Sequence, residues 1–343
     1  MTSLTAERVL WPLDGVRRRG LALLGPAGAR LVRDRELRVA AAFGFTVLVA
    51  LATTALAPLW MMALGPVVLG VPHVVADVRY LVLRPRLYRR RLLCLCAGVP
   101  LVVAALNAGV LAGLVACAAV LIVSRTTPAR RLAGLAAVAV LCGAAALAGP
   151  LADLAFAHLH NFAALALFWL WRPRARRLHL VPLALFALVA AAVLFGALDP
   201  VWTRQALSGP DGLSGADKLA ALAPGLPAPL GARLVLLFAF AQSLHYAVWL
   251  RLVPEEDRGR PTPRSFVRTV RALTADFGAP GLCLCLVLAL GITGWAAFDL
   301  FSAYDGYLRA AVFHGHLELA ALALLFAEGR ASLRPPSITT ETT

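Results

Sequence analysis

The chain has 343 residues, 60% of them apolar and 15% charged, with a mean hydropathy of +0.79. That balance excludes an ordinary soluble domain and points to an all-α, polytopic membrane protein. The net charge of +15 does not indicate a nucleic-acid partner, because the arginines cluster in short linkers between apolar runs, where they set membrane topology.

Residues 1–37 read as a basic cytoplasmic segment, broken by Pro12, Gly15, Gly20 and Pro26, with no cleavable leader expected. Trp11, Leu13, Val16 and Leu21 mix there with Arg17, Arg18 and Arg19. That mixture fits a short helix lying on anionic lipid or a disordered basic arm. A transmembrane domain follows over 38–327, and a polar tail over 328–343. A span needs about 20 apolar residues. Ten are predicted, near 38–57, 59–83, 92–107, 109–124, 132–149, 151–171, 178–198, 231–252, 278–298 and 309–327. Pro58, Asn107-Ala108-Gly109 and Gly149-Pro150 supply turns between them.

With both termini cytoplasmic, the inner segments are 1–38, 84–91, 125–131, 172–177, 251–271 and 330–343. They hold all 33 lysines and arginines except Arg79, Arg204, Lys218, Arg233 and Arg309. This asymmetry fits the positive-inside rule of an inner membrane, and the Ala/Leu/Arg bias with little lysine resembles the composition of a high-GC bacterial genome. Residues 199–230 form a long outer connector or lid containing Trp202 and Asp211, and 254–277 a solvated inner loop at the headgroups. The six cysteines, Cys94, Cys96, Cys117, Cys142, Cys283 and Cys285, read as small buried hydrophobes, since neither Cys-x-Cys pair has a redox or zinc spacing.

Histidine inside apolar runs carries the chemistry. His73 lies in the second span, His158 and His160 in the sixth, His245 in the eighth, and His314 and His316 in the tenth. Ionisable groups at such positions are costly and mark functional sites. In the predicted topology these four spans run in the same direction, so their imidazoles can converge in the outer half of the bundle. His73 and Asp77 share a helix face, as do His314 and Glu318, each pair four residues apart. Asp77 then either ligates or holds an imidazole tautomer from behind. Arg79 is expected to reach the inner headgroups or to pair with Asp77. In each His-x-His pair a regular helix turns only one ring to the core, unless Gly315 breaks that regularity. His179 follows a basic loop at the inner interface and is left out. Imidazoles backed by carboxylates suit iron, zinc, copper or nickel. A haem or quinone site, a proton relay in a transporter and structural hydrogen bonds are the competing readings.

The pattern Gly70-x-Pro72-His73-x-x-x-Asp77 resembles the first histidine motif of the bacterial Brp/Blh-type β-carotene dioxygenase family. The resemblance implies a polytopic membrane protein that holds a non-haem iron through histidines on several helices and cleaves a carotenoid with dioxygen. It implies His73 as a metal ligand and Asp77 as its supporting partner, with the layout extending to His158 or His160, His245 and His314. The close motif covers Gly70 to Asp77 alone. The family's paired histidines stand four apart, whereas here the pairs stand two apart, and an additional N-terminal span precedes the motif. The expectation is therefore a metal-dependent membrane enzyme acting on a lipid-soluble small molecule, with membrane lipids around it and dioxygen as co-substrate. His73, His158, His160, His245, His314 and His316 are the candidate ligands, and Asp77 and Glu318 orient ligands or move protons. The alternative is a metal-free transporter or proton relay.

Overall fold

The computed structural model describes residues 3–106, 109–171, 176–205 and 212–334, and every regular element among them is helical. The predicted turn at Asn107-Ala108, part of the basic loop 172–177, Asp211 and the tail beyond Arg334 lie outside the described residues. Eight helices are long and apolar enough to cross a membrane, which makes the chain an all-α, multi-pass membrane protein.

In chain order, α1 (Ser3–Leu23) and α2 (Gly25–Arg33) precede α3 (Arg35–Leu56), whose start is capped by the Asp34 carboxylate accepting from the Leu37 N–H at 3.1 Å. The turn after α3 opens α4 (Pro58–Val78) with proline in its first turn, where no amide partner is lost. α5 (Arg91–Ala105) and α6 (Gly109–Val123) have 15 residues each. At 1.5 Å per residue they are about 22 Å long, short of a roughly 30 Å hydrocarbon core. These are the predicted third and fourth spans, the short ones of the ten expected, and the structure leaves both below spanning length.

α7 (Pro128–Ala148) and α8 (Pro150–Trp171) turn at Gly149, whose φ of +56° favours glycine. α9 (Leu180–Leu194) follows. The long connector expected over 199–230 carries two short helices, α10 (Asp199–Gln205) and α11 (Gly215–Leu222), the latter started by a Ser214/Asp217 capping box. α12 (Ala228–Ala247) continues through α13 (Val253–Glu256). α14 (Phe266–Phe298) begins at a Ser265 cap, earlier than the hydropathy suggested, and kinks at Gly278 (φ +71°) two residues before Pro280. The last apolar stretch is divided into α15 (Leu300–Ala311) and α16 (Phe313–Glu328).

α12 is the hub. It packs against α3, α4, α8 and α9, and Leu236, Phe240, Leu244 and Trp249 sit in the main core with Phe43 of α3 and Phe168 of α8. α14 presents no buried residue, and α7 only Gly134, as suits helices facing lipid.

Ion pairs tie one end of the bundle together. Arg38 of α3 meets Glu255 at 2.6 Å, Arg84 after α4 meets Asp257 at 2.5 Å, and Arg90 before α5 meets Glu328 at 2.6 Å. Arg330 donates to the Leu170 carbonyl at 2.7 Å, joining the ends of α16 and α8, and Arg176 pairs with Asp34 at the start of α3. The C-terminal ends of α4, α8, α12 and α16 therefore share this arginine-rich end, and the four helices run in the same direction. Arg79 pairs with Asp276 of α14 at 2.7 Å. The alternative of an Arg79–Asp77 pair does not form, because the helix turns the two side chains to different faces. The backbone widens into a π-helical turn at Arg79–Leu83 after α4 and again at Val248–Leu252 after α12, in both cases directly past the histidine-bearing turn.

Candidate metal centre

Four imidazoles from four helices meet inside the bundle. His73 of α4 lies 5.2 Å from His245 of α12 and 4.8 Å from His314 of α16, measured between ring centroids. His160 of α8 lies 5.3 Å from His245 and 5.5 Å from His314, and His245 and His314 are 5.6 Å apart. Asp77, one turn beyond His73, joins them. One ligand atom each from His73, Asp77, His245 and His314 all fall within 4.8 Å of one another. His73, Asp77 and His245 are buried, Asp77 completely, and His314 is half-buried.

Local hydrogen bonds set which nitrogen is available. His73 Nδ1 lies 3.3 Å from the Leu69 carbonyl, and His160 Nδ1 lies 2.8 Å from the Ala157 carbonyl. His314 Nδ1 likewise meets the Ala311 carbonyl. Each ring thus donates Nδ1–H to its own helix one turn back, which leaves Nε2 as the lone-pair nitrogen. The Tyr307 hydroxyl of α15 sits 3.5 Å from His73 Nδ1 and adds a second neighbour on that side.

The centre is short of partners. His73 Nε2, both nitrogens of His245 and both oxygens of Asp77 are buried with no hydrogen bond among the described residues. Buried polar groups are otherwise nearly always paired, and a lone buried carboxylate costs several kcal/mol. A divalent cation bound by these atoms removes the deficit.

Glu318 belongs to the surround. Its Oε1 accepts from Trp249 Nε1 at 2.6 Å and lies 3.6 Å from His245 Nε2. The four-residue spacing suggested that Glu318 supports His314; in the fold it stands against His245 and Trp249 instead. Asp77 was read either as a ligand or as a prop for His73. The prop position behind His73 is taken by the Leu69 carbonyl, and Asp77 stands among the ligand atoms.

Only one member of each His-x-His pair reaches the centre. Two residues along a helix is a turn of about 200°. His158 points away, with Nε2 2.8 Å from the Leu222 carbonyl and its ring 5.4 Å from Phe238. It ties α8 to α11. His316 stacks on Phe156 at 4.5 Å with the planes 8° apart, and its Nδ1 packs at the bare backbone of Gly113. Gly315 stays within the helix and does not turn His316 inward; it admits Phe156 and His160 at close range.

A cavity of about 920 Å³ reaches from the four histidines to α11 and α15. Apolar side chains such as Phe156, Leu213, Phe238 and Phe301 share its lining with polar ones beyond the histidines, among them Asp153, Asn161, Lys218, Gln242, Tyr304 and Asp305. Lys218 donates to the Tyr304 hydroxyl at 2.8 Å. Burial holds its amine down to about 8, with Asp217 pulling the other way. Tyr307 and Trp249 were not singled out as site residues from the sequence. Trp249 carried a signal, standing four residues after His245; Tyr307 carried none short of the Gly70 contact described below.

Comparison of the chain with protein-family models, with curated proteins and with solved structures found no match.

Proposed function

We propose that the protein is a membrane metalloenzyme in which His73, Asp77, His245 and His314 hold an iron ion and His160 completes the ring of imidazoles. The observation that carries this reading is the Asp77 carboxylate, fully buried and unpartnered amid imidazole nitrogens that are themselves unpartnered. Three or four imidazoles with one carboxylate and no thiolate suit iron, and also zinc or another first-row ion. Iron bound here supplies the redox chemistry that activates dioxygen. The resemblance of the Gly70–Asp77 motif favours iron and an oxygenase of carotenoid-cleaving type.

The remaining roles fall to the chain. Leu69, Ala157 and Ala311 carbonyls fix three imidazole tautomers. Trp249 holds Glu318 beside His245, where a small shift would let the two exchange a proton. The cavity, walled in part by Phe156, Phe238 and Phe301, would accept a lipid-soluble substrate beside the centre. The arginine-rich end is the cytoplasmic one, which puts both termini inside a bacterial inner membrane and the cavity mouth on the outer side.

Elemental analysis of the purified full-length protein tests the reading. About one iron per chain is expected in the wild type, with loss in His73→Ala, Asp77→Asn and His245→Ala and retention in His158→Ala. A folded preparation that takes up no metal on reconstitution sinks the enzyme reading and leaves a proton relay through the His245–Glu318 contact. Iron bound equally well by Asp77→Asn would remove Asp77 from the ligand set.

A further inference from the structure

A second cavity, of about 520 Å³, lies at the arginine-rich end and shares no lining residue with the cavity at the histidines. The connector between α13 and α14 and the first turns of α14 form it. Arg258, Arg260, Arg264 and Arg268 line it together with Thr262, and no carboxylate does.

The contrast with neighbouring arginines is sharp. Arg17 pairs with Asp14, Arg38 with Glu255, Arg79 with Asp276 and Arg84 with Asp257. Arg258 is itself committed to Glu255. Among the described residues no carboxylate pairs with Arg260, Arg264 or Arg268. Positive charge is crowded enough that Arg258 is held down to about 10, by burial first, with Glu255 opposing and Arg38, Arg264 and Arg35 adding to the depression.

The cavity is preformed. Arg35 donates to the Arg260 carbonyl at 2.5 Å, Arg38 donates to the Pro261 carbonyl, and Arg17 donates to the Arg264 carbonyl at 2.5 Å. Asp14 accepts from the Phe266 N–H at 3.0 Å, and Ser265 caps α14. Arginines of α1 and α3 therefore hold the loop by its backbone. Among the described residues, the guanidinium groups of Arg260, Arg264 and Arg268 have no ion-pair partner.

Three unpaired guanidinium groups in a held, carboxylate-free pocket match the oxygens of a phosphate, which they engage in forked pairs. The pocket sits where acidic headgroups concentrate, and its volume suits one headgroup. We propose that this pocket binds a phosphate-bearing anion, supplied by the headgroup of an acidic phospholipid. A free phosphate compound shares that chemistry, and the test separates the two.

The full-length protein is placed in nanodiscs of equal parts phosphatidylcholine and phosphatidylglycerol, and the lipids retained after release are counted by native mass spectrometry. Phosphatidylglycerol retained in preference by roughly tenfold is expected. The triple change Arg260→Gln, Arg264→Gln and Arg268→Gln should bring the preference to within about twofold of unity. Because these side chains have no ion-pair partner among the described residues, the unfolding midpoint should stay at the wild-type value. A control triple, Arg18→Gln, Arg89→Gln and Arg130→Gln, removes the same charge elsewhere and should keep the preference. No lipid preference in wild type, with inorganic pyrophosphate bound by wild type and not by the pocket triple, assigns the site to soluble phosphates and overturns the lipid assignment. Equal retention in the pocket triple, or equal loss in the control triple, overturns the site.

Discussion

Gly70 offers the sharpest test of how the centre is assembled. A methyl group there would stand 2.4 Å from Tyr307 Cζ, 2.6 Å from Cε2 and 2.8 Å from the hydroxyl oxygen. Carbon atoms at rest approach to about 3.5–4.0 Å, so the ring would have to retreat by about 1 Å or more. Tyr307 is only 4% exposed and has little room to do so. Its retreat would also open the 3.5 Å contact with His73 Nδ1. Overpacking of this kind costs about 1–3 kcal/mol. Unfolding of Gly70→Ala by detergent titration should show that loss. In a Tyr307→Leu background the clash is gone, and the same change should cost under about 0.5 kcal/mol. Iron content should fall less than in His73→Ala, because the Leu69 carbonyl still fixes the His73 ring. A Gly70→Ala protein as stable as wild type, or an equal cost in both backgrounds, would refute the packing argument.

Trp249→Phe removes the donor that holds Glu318, leaving a buried carboxylate with neither oxygen bonded; unfolding should show a loss of about 1–3 kcal/mol, much smaller when Glu318→Leu is already present. His158→Ala should cost about 1 kcal/mol through the lost tie to α11 and leave metal content unchanged, whereas His160→Ala should lower metal content, both read by unfolding and elemental analysis in parallel. Lys218, held down to about 8 from 10.5, binds its proton less readily in the fold than in the unfolded chain. Its burial therefore works against folding in full below about pH 8, and that penalty fades as pH rises toward 10.5. The unfolding midpoint of wild type should accordingly rise against that of Lys218→Met across this window, and parallel curves would exclude the effect.

Much of the site was legible because two periodicities agree. The four-residue step from His73 to Asp77 puts both on one face, and alternating charge clusters place α4, α8, α12 and α16 in one direction. Together these bring His73, His245 and one ring from each pair to a common depth. The sequence left open which of His158 and His160 turns inward, since rings two apart differ by about 200° and nothing local fixes the helix rotation. Packing fixes it: the Leu222 carbonyl captures His158, and α11 sits inside a stretch with too little hydropathy to signal a docked helix. The roles of the carboxylates were hidden for a similar reason. Spacing on one helix pairs Glu318 with His314, but the neighbouring α12 brings Trp249 and His245 closer. α5 and α6 show the limit of hydropathy, which reports an apolar run of 15 residues without saying how far it crosses.

The distribution of charge within the molecule bears on the metal more than any single distance. The chain is able to satisfy its carboxylates. Glu255 receives Arg38, Arg251 and Arg258; Asp276 receives Arg79 and Arg84; Glu328 receives Arg90 and the Arg125 N–H. Even Glu318, wholly buried, has the Trp249 donor. Asp77 alone of these has no donor at all, although Arg79 stands two residues away and is drawn off to Asp276. A protein that merely tolerated polar residues in its core would have little reason to set three imidazoles, those of His73, His245 and His314, around an orphan carboxylate, two of them with Nδ1 turned to a carbonyl. Nitrogens and carboxylate oxygens gathered with no hydrogen bond between them are an arrangement that a cation from outside the chain would satisfy. On this argument Asp77→Asn is more informative than any histidine change: it keeps the shape and removes the charge. If a cation balances that charge, Asp77→Asn should weaken metal retention about 10- to 100-fold while the metal-free protein becomes more stable, since the unpaired charge no longer has to be buried. Loss of stability in the metal-free state would show instead that the carboxylate is satisfied by the fold itself.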